Sequence, residues 1–108
     1  MNGQTETINI ISNLLEQGNA SELEPYLDEQ VMLSIMDEEV QVPKANALAT
    51  LKDFFLVNPP KSFSHKHDGK SKEGNIFAIG AYKTEDTELR TYYVLKDNKI
   101  QELCIEIE

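Results

Sequence analysis

Cysteine is almost absent from this chain, since Cys104 is the only one in 108 residues. A lone cysteine excludes an intrachain disulfide and a cluster of thiolates that would hold zinc. The strand predicted around Cys104 places glutamates on the same face, and their charge raises the pKa of a thiol. We therefore expect Cys104 to pack rather than to act as a nucleophile, and the redox compartment stays open.

Positive charge is also scarce. Ten Lys and Arg residues against nineteen Asp and Glu residues give a formal net charge of -9, which repels phosphate backbones and anionic lipid headgroups. The sequence therefore argues against a nucleic-acid partner. A small group of lysines around one predicted turn has the pattern of a solvated hairpin tip. Its members are Lys61, Lys66, Lys70 and Lys72.

Long apolar runs are missing as well. No segment approaches the roughly 20 apolar residues of a membrane-spanning helix, so we expect no membrane span. The segment Met1–Thr7 is polar, with neither the basic start nor the apolar stretch of a signal peptide. This favours either a cytosolic protein or a trimmed mature form.

The composition that remains is that of one globular domain, residues 1–108, and three stretches have helical spacing. The first is Ile8–Leu15, followed by Gly18 as a left-handed closing residue. The second is short and begins at Ser21, which forms a capping-box pattern with Glu24. The third, Pro43–Val57, is the best core helix and ends before two prolines. Its predicted core positions are Ala45, Leu48, Leu51, Phe54 and Phe55.

Strand patterns fill the rest of the chain. Val31–Met36 alternates, and the acidic turn Asp37-Glu38-Glu39 separates it from a return strand, Val40–Val42. The short links between the later strands predict an antiparallel meander, in which Gly80 provides a bulge or a bend. This order predicts an α+β domain with an antiparallel sheet folded over the helices. The later strands are Ser62–His67, Asn75–Lys83, Leu89–Lys96 and Ile100–Glu108.

Several short motifs carry a resemblance that covers nearly the whole chain. The most specific is the pair Phe54-Phe55 with the run Asn58-Pro59-Pro60-Lys61-Ser62-Phe63. With them the chain resembles the cystatin-like cones of the NTF2-like superfamily and, more narrowly, DUF4783, a family of unknown function in Bacteroidetes. The other matching residues are Gly18-Asn19-Ala20, Tyr26-Leu27-Asp28, Leu51-Lys52-Asp53, His67, Gly69-Lys70-Ser71, Ile79-Gly80, Arg90 and Tyr92-Tyr93.

The resemblance implies a curved sheet that encloses a pocket, and it implies no activity, because fold does not give function. Enzymes of that superfamily use an Asp or His base with Tyr or Asp donors, and no catalytic signature of theirs is matched here. Family members commonly begin with a signal or lipoprotein leader. The resemblance therefore also implies an exported precursor, periplasmic or lipoprotein, for which this chain as given carries no signal.

Two histidines are the only hint of a metal site. His65 and His67 stand two apart on a predicted strand, so their side chains are expected on one face. A metal needs further ligands, and no local motif supplies them. We expect surface or hydrogen-bonded histidines, with no metal and no cofactor.

Our sequence interpretation is a non-catalytic domain that binds a small ligand or a protein partner. The alternative is a small isomerase or hydrolase that uses an acid or base in the pocket. An ionisable side chain deep in the pocket would distinguish the two. We also expect the outer face of the sheet to be the surface for any homodimer. The candidate ligand-binding residues are Phe54, Phe55, Phe63, His67, Tyr82, Arg90 and Tyr92, with no catalytic residue assigned.

Overall fold

The structure is a computed structural model that describes residues 3–107, with side chains from Glu6 onward. Three helical segments and six strands follow the predicted order, and the last predicted strand residue, Glu108, lies outside the described residues. The elements are α1 (Gly3–Gln17), α2 (Ala20–Leu23) with a 3-10 turn (Glu24–Tyr26), β1 (Leu27–Ile35), β2 (Glu38–Pro43), α3 (Lys44–Val57), β3 (Ser62–Lys70), β4 (Ile76–Lys83), β5 (Glu88–Lys96) and β6 (Lys99–Ile107).

The six strands form one curved sheet with the order β2-β1-β6-β5-β4-β3. All neighbours pair antiparallel except β1 and β6, which pair parallel. The predicted meander is confirmed for β3 to β6, while the parallel pair joins the first strand to the last. The α+β class is confirmed, with the helices packed on one face of the sheet, which we call the inner face.

The first helices bury the predicted stripe. Ile8, Ile11 and Leu15 of α1 are buried in the core, and Gly18 follows with a φ of +66°, a left-handed conformation that closes the helix. The cap of α2 differs from the prediction. The side chain of Asn19, rather than Ser21, accepts the hydrogen bond from the backbone N–H of Glu22, because α2 starts one residue before Ser21.

Two turns also differ from the prediction. The first hairpin turns at Met36 and Asp37, which both have positive φ, the conformation of a tight two-residue turn. Glu38 and Glu39 therefore belong to β2. Strand β3 continues through Lys70 instead of ending at His67, because its ladder with β4 extends to the pair Lys70 and Ile76.

Helix α3 presents Ala47, Leu51, Phe54 and Phe55 to the core. The predicted core position Ala45 is exposed instead, since it lies in the first turn on the solvent side. The aromatic pair near the end of α3 packs over β4, whose side chains alternate between the two faces as expected. Ile76, Ala78 and Tyr82 point inward, and Phe77 and Ile79 are half-buried on the outer face.

Gly80 lies on the inner face at a close approach between strands. A Cβ added there would stand 2.4 Å from Cζ of Phe63 and 2.8 Å from the backbone oxygen of Ser64. The bulge itself is in the neighbouring strand, where the β3–β4 register shifts between His65 and His67. That shift places His65 opposite Gly80 and His67 opposite Ile79. The two histidines therefore lie on opposite faces, and their predicted shared face is wrong.

Candidate functional site

The inner face has an aromatic end, formed where α3 crosses β4. The ring of Tyr82 lies 5.4 Å from that of Phe54 and 6.1 Å from that of Phe55, measured between centroids. Phe63 pairs with Tyr82 across the β3–β4 ladder. All four side chains are at most 8% exposed. Four of the seven predicted ligand-binding residues are thus brought together, as a packed cluster that we call the aromatic end.

The polar atom of the aromatic end, the Tyr82 hydroxyl oxygen, has a hydrogen-bond partner. The Tyr82 hydroxyl donates a hydrogen bond to the backbone oxygen of Asn58 at 2.5 Å. Burial raises the pKa of Tyr82 well above its usual value. The hydroxyl is therefore a neutral donor, and its hydrogen bond links β4 to the end of α3.

The other three predicted residues lie on the outer face. His67 packs near Phe77, with 6.0 Å between ring centroids. Arg90 stands opposite Glu106 in the β5–β6 ladder, and Tyr92 stands opposite Ile79 in the β4–β5 ladder. The sheet separates these three from the aromatic end, so the seven residues do not line one pocket. Ligand binding by either group stays a prediction.

A second part of the inner face is polar, and we call it the polar end. Thr91 and Tyr93 point inward from β5 between Leu89 and Leu95, and both are 0% exposed. Ser12 reaches the same region from α1, close enough to act on the Tyr93 hydroxyl. The side-chain oxygens of Ser12, Thr91 and Tyr93 are buried, and apart from the interaction between Ser12 and Tyr93 they have no hydrogen-bond partner in the part of the chain described.

Two ionisable side chains, those of His65 and Asp68, border the polar end on β3. Asp68 stands opposite Ala78, which in turn stands opposite Tyr93. Its Oδ2 lies 2.7 Å from Nε2 of His65, and both side chains are partly exposed. Burial raises the pKa of Tyr93 to about 12; the Ser12 hydroxyl lowers it, and the negative charge of Asp68 raises it further.

The sequence interpretation did not single out Ser12 and Thr91, although a signal for them exists. Ser12 lies directly beside the buried stripe of α1, next to Ile11. Thr91 and Tyr93 are the polar members of the alternation that runs from Leu89 to Leu95. A polar residue inside an apolar stripe must find a partner when buried, which makes it informative.

No metal centre emerges from the geometry. Since the bulge in β3 turns His65 and His67 to opposite faces, the two histidines do not share an ion. Among the described residues, no three His, Cys, Asp or Glu side chains come together in a way that could hold a metal.

The outer face carries Cys104 and a half-buried apolar strip. Burial is the main cause that raises the pKa of the Cys104 thiol, and the carboxylate of Glu106 raises it as well. The strip consists of Phe77, Ile79 and Val94, with Tyr92 beside them. Homodimer formation through this face stays a prediction. No described helix has the length and apolar character needed to cross a membrane.

Comparison with known proteins identifies related chains. The sequence profile of a domain of unknown function, DUF4783, matches residues 8–107. A DUF4783 protein of Bacteroides ovatus is 27% identical over 91% of this chain and 92% of its own, with a TM-score of 0.84. One of Bacteroides fragilis is 29% identical over 91% of this chain and 95% of its own, with a TM-score of 0.83.

More distant structures share the fold alone. An NTF2-like protein of unknown function from Burkholderia xenovorans has a TM-score of 0.71 at 10% identity, over 97% of this chain and 84% of its own. No protein of curated function matches the sequence significantly. The NTF2-like α+β fold expected from the resemblance is confirmed.

Proposed function

Because this chain belongs to the DUF4783 family, whose description states no activity, we propose a function from its own residues. The domain binds a small polar ligand between α1 and the inner face of the sheet, without doing chemistry on it. The observation that carries this proposal is the polar end, where the buried hydroxyls of Ser12 and Tyr93 have no described partner beyond each other and that of Thr91 has none. Buried polar groups normally have partners, and one left without costs about 1 to 3 kcal/mol.

The three hydroxyls define the chemistry of the ligand. Hydroxyl groups of Ser, Thr and Tyr each donate one hydrogen bond and accept others. With its pKa raised to about 12, Tyr93 stays protonated near neutral pH and so remains a donor. The carboxylate of Asp68 acts on the same hydroxyl and disfavours an anion nearby. The ligand that fits is a neutral molecule with carbonyl, amide or hydroxyl groups.

One residue of the aromatic end would contribute an apolar wall. The ring of Phe63 lies over Gly80, and Gly80 stands opposite Thr91 in the β4–β5 ladder. Phe63 therefore connects the aromatic end to the polar end. We propose that a ligand held by Thr91 and Tyr93 contacts this ring.

The burial of charged groups supports binding over catalysis. The structure describes the exposure of residues 6–107. Apart from tyrosines, the buried polar residues in that range are Thr7 and Thr91. Every described Asp, Glu and His keeps contact with solvent. A catalytic acid or base usually has its pKa displaced by burial beside the substrate. The inner face holds no such group at depth within those residues.

One observation favours a second candidate, a small isomerase or hydrolase. The His65 and Asp68 side chains are 2.7 Å apart, and Asp68 is near enough to Tyr93 to affect its hydroxyl. A histidine held by a carboxylate can act as a general base, and a tyrosine can stabilise the resulting oxyanion. In this candidate His65 takes the proton and Tyr93 is the donor.

A fragment titration followed by NMR tests the proposed function. Small neutral amides, ketones and alcohols are added to the labelled protein, and the amide shifts of Ser12, Thr91 and Tyr93 are followed. We expect at least one fragment to shift all three, with binding weakened about tenfold in Thr91→Val and Tyr93→Phe, because each loses one buried hydrogen bond.

Tyr92→Phe is the matched control, since it removes the same hydroxyl one residue away on the opposite face. Its binding should equal that of the unaltered protein. Fragments that bind only elsewhere, or that bind Thr91→Val and Tyr93→Phe undiminished, contradict the proposal. Running the ketones in D2O tests the second candidate, because catalysis would exchange their α-protons in the unaltered protein and not in His65→Gln.

A further inference from the structure

The two edges of the sheet are protected to different degrees. Strand β3 at one edge has a bulge between His65 and His67 and carries Lys66 and Lys70. Bulges and lysines are devices that keep an edge strand from pairing with another chain. Strand β2 at the other edge has neither a bulge nor a lysine, and its protective residues are Glu38, Glu39 and Pro43. Its register with β1 runs without a shift from Glu38 to Pro43.

Strand β2 is open along most of its length. All of its residues are exposed except Val42, which is half-buried. An edge strand leaves about half of its backbone N–H and C=O groups unpaired, available to a further strand. Pro43 lacks a donor and limits such pairing at one end. The free stretch is therefore Glu38–Val42, enough for a short extended segment.

The outer side of β2 borders an acidic groove of about 600 Å³. Four carboxylates line it, and none of them forms an ion pair with a Lys, Arg or His in the part of the chain described. Gln30, Gln41 and Gln101 supply polar groups between the charges. The four are Asp28, Glu29, Glu39 and Glu102.

The inner side of β2 borders a smaller groove of about 280 Å³, which is largely apolar. Leu33, Ile35 and Val40 line it, together with Glu38 of β2 and Thr50 of α3. Val40 is 50% exposed, although it stands opposite the buried Leu33. The same edge strand thus has four carboxylates on one side and, on the other, exposed apolar surface with the single carboxylate of Glu38.

We propose that the β2 edge binds an extended basic segment of a partner protein by strand addition. Side chains of a strand alternate between the two faces with period two. A segment of alternating basic and apolar residues would place its cations over the acidic groove and its apolar side chains beside Val40. Main-chain hydrogen bonds supply affinity in this mode, and the alternate side chains supply specificity.

A second copy of this chain fits the edge poorly. Antiparallel pairing of β2 with itself would bring two acidic grooves side by side, and like charges across a strand pair are destabilising. With a net charge of -9, the whole molecule repels its own copies further. Charge complementarity therefore selects a basic partner strand.

The probe is a labelled peptide of sequence Lys-Val-Lys-Val-Lys-Val-Lys, titrated against the full chain by fluorescence anisotropy. The composition-matched block peptide Lys-Lys-Lys-Lys-Val-Val-Val separates strand addition from charge attraction alone. We expect the alternating peptide to bind about tenfold more tightly than the block peptide. Hydrogen exchange of the β2 amides should slow when the alternating peptide is bound.

Two exposed variants locate the site on the protein. Glu39→Lys should weaken binding about tenfold, since it replaces attraction by repulsion in the acidic groove. Glu85→Lys, an exposed charge reversal in the turn between β4 and β5, should change it less than about twofold. Thermal melting of both variants checks that they fold.

Several results overturn the proposal. These are no binding of the alternating peptide up to about 1 mM, equal binding of the block peptide, an unchanged affinity in Glu39→Lys, and protection of β3 rather than β2. Concentration-dependent protection of β2 without peptide would identify a second copy as the occupant and would overturn it too. None of these outcomes bears on the polar end.

Discussion

Two tyrosines on neighbouring strands point into the same interior but differ in the hydrogen bonding of their hydroxyl groups. Tyr82, at the aromatic end, donates to the backbone oxygen of Asn58 at 2.5 Å and packs against Phe54 and Phe55. Tyr93, at the polar end, is equally buried, and the one described group that acts on its hydroxyl as a hydrogen-bond partner is Ser12, which has no other. Both phenols have a raised pKa, and burial is the main cause for each.

The difference distinguishes core packing from a candidate binding site. A buried ring with its hydroxyl bonded to backbone holds the fold together and needs nothing further. A buried ring whose hydroxyl lacks a protein partner carries a cost that a ligand or an ordered water can remove. Burial of a ring alone does not indicate binding, so ligand binding by the residues of the aromatic end stays a prediction.

Truncation of the aromatic end should have the largest effect. Phe55→Ala removes a ring that is 6% exposed and should lower the free energy of unfolding by about 3 to 5 kcal/mol, because it leaves a cavity. Leu56→Ala is the matched control at the next position, where the side chain is 78% exposed. It should change stability by less than about 0.5 kcal/mol.

Urea denaturation of both variants measures these changes. A loss below about 1 kcal/mol for Phe55→Ala would contradict its assignment to the core, since surface substitutions fall in that range. The aromatic end would then be a surface free to accept a ligand, and the contrast with the polar end would disappear.

The next largest effect is expected at alkaline pH, where ionisation of Tyr93 at the polar end should destabilise the folded protein. The pKa of Tyr93 is raised from 10.0 to about 12, so the folded state holds a proton that the unfolded state has released between these values. Stability from this group is complete below pH 10 and falls as pH rises toward 12. The loss should be about 2 to 3 kcal/mol, at 1.36 kcal/mol for each pH unit.

The measurement compares urea denaturation of the unaltered protein and Tyr93→Phe across that pH range. Lysines and the other tyrosines titrate in both proteins, so the difference between the two isolates Tyr93. The variant should lose less stability. Parallel pH curves for the two proteins would show that the Tyr93 phenol ionises without penalty, and that it is not buried in solution.

Much of the fold could be predicted because its elements are amphipathic. The stripe from Ile8 to Leu15 and the run Lys44–Val57 each bury one helical face, and the strands β4 and β5 alternate as the sequence indicates. The predictions of secondary structure that were wrong concern segments whose structure depends on contacts with residues distant in the sequence. Asp68 and Gly69 have turn chemistry, yet the ladder with β4 keeps them in β3.

The face of the sheet on which each candidate residue lies was harder to predict, for two physical reasons. A one-residue bulge in β3 moved His67 to the outer face and left His65 on the inner one, and a register shift of this kind reverses every side chain beyond it. Arg90 and Tyr92 share a face with each other but not with Tyr82. Which of two alternating faces is the inner one depends on the whole sheet.

The smallest predicted effect is also the most direct comparison of the two tyrosines, because each substitution removes one oxygen atom. Tyr82→Phe deletes the donor to the Asn58 carbonyl and should destabilise the protein by about 1 kcal/mol. Tyr93→Phe deletes a hydroxyl whose one described partner is Ser12 and should be neutral or stabilising by up to about 1 kcal/mol. Thermal and urea denaturation near neutral pH, without added ligand, give both values. The opposite order, with Tyr93→Phe the more damaging, would mean that Ser12 or a water already satisfies the Tyr93 hydroxyl, and that a ligand must replace that partner before it can bind.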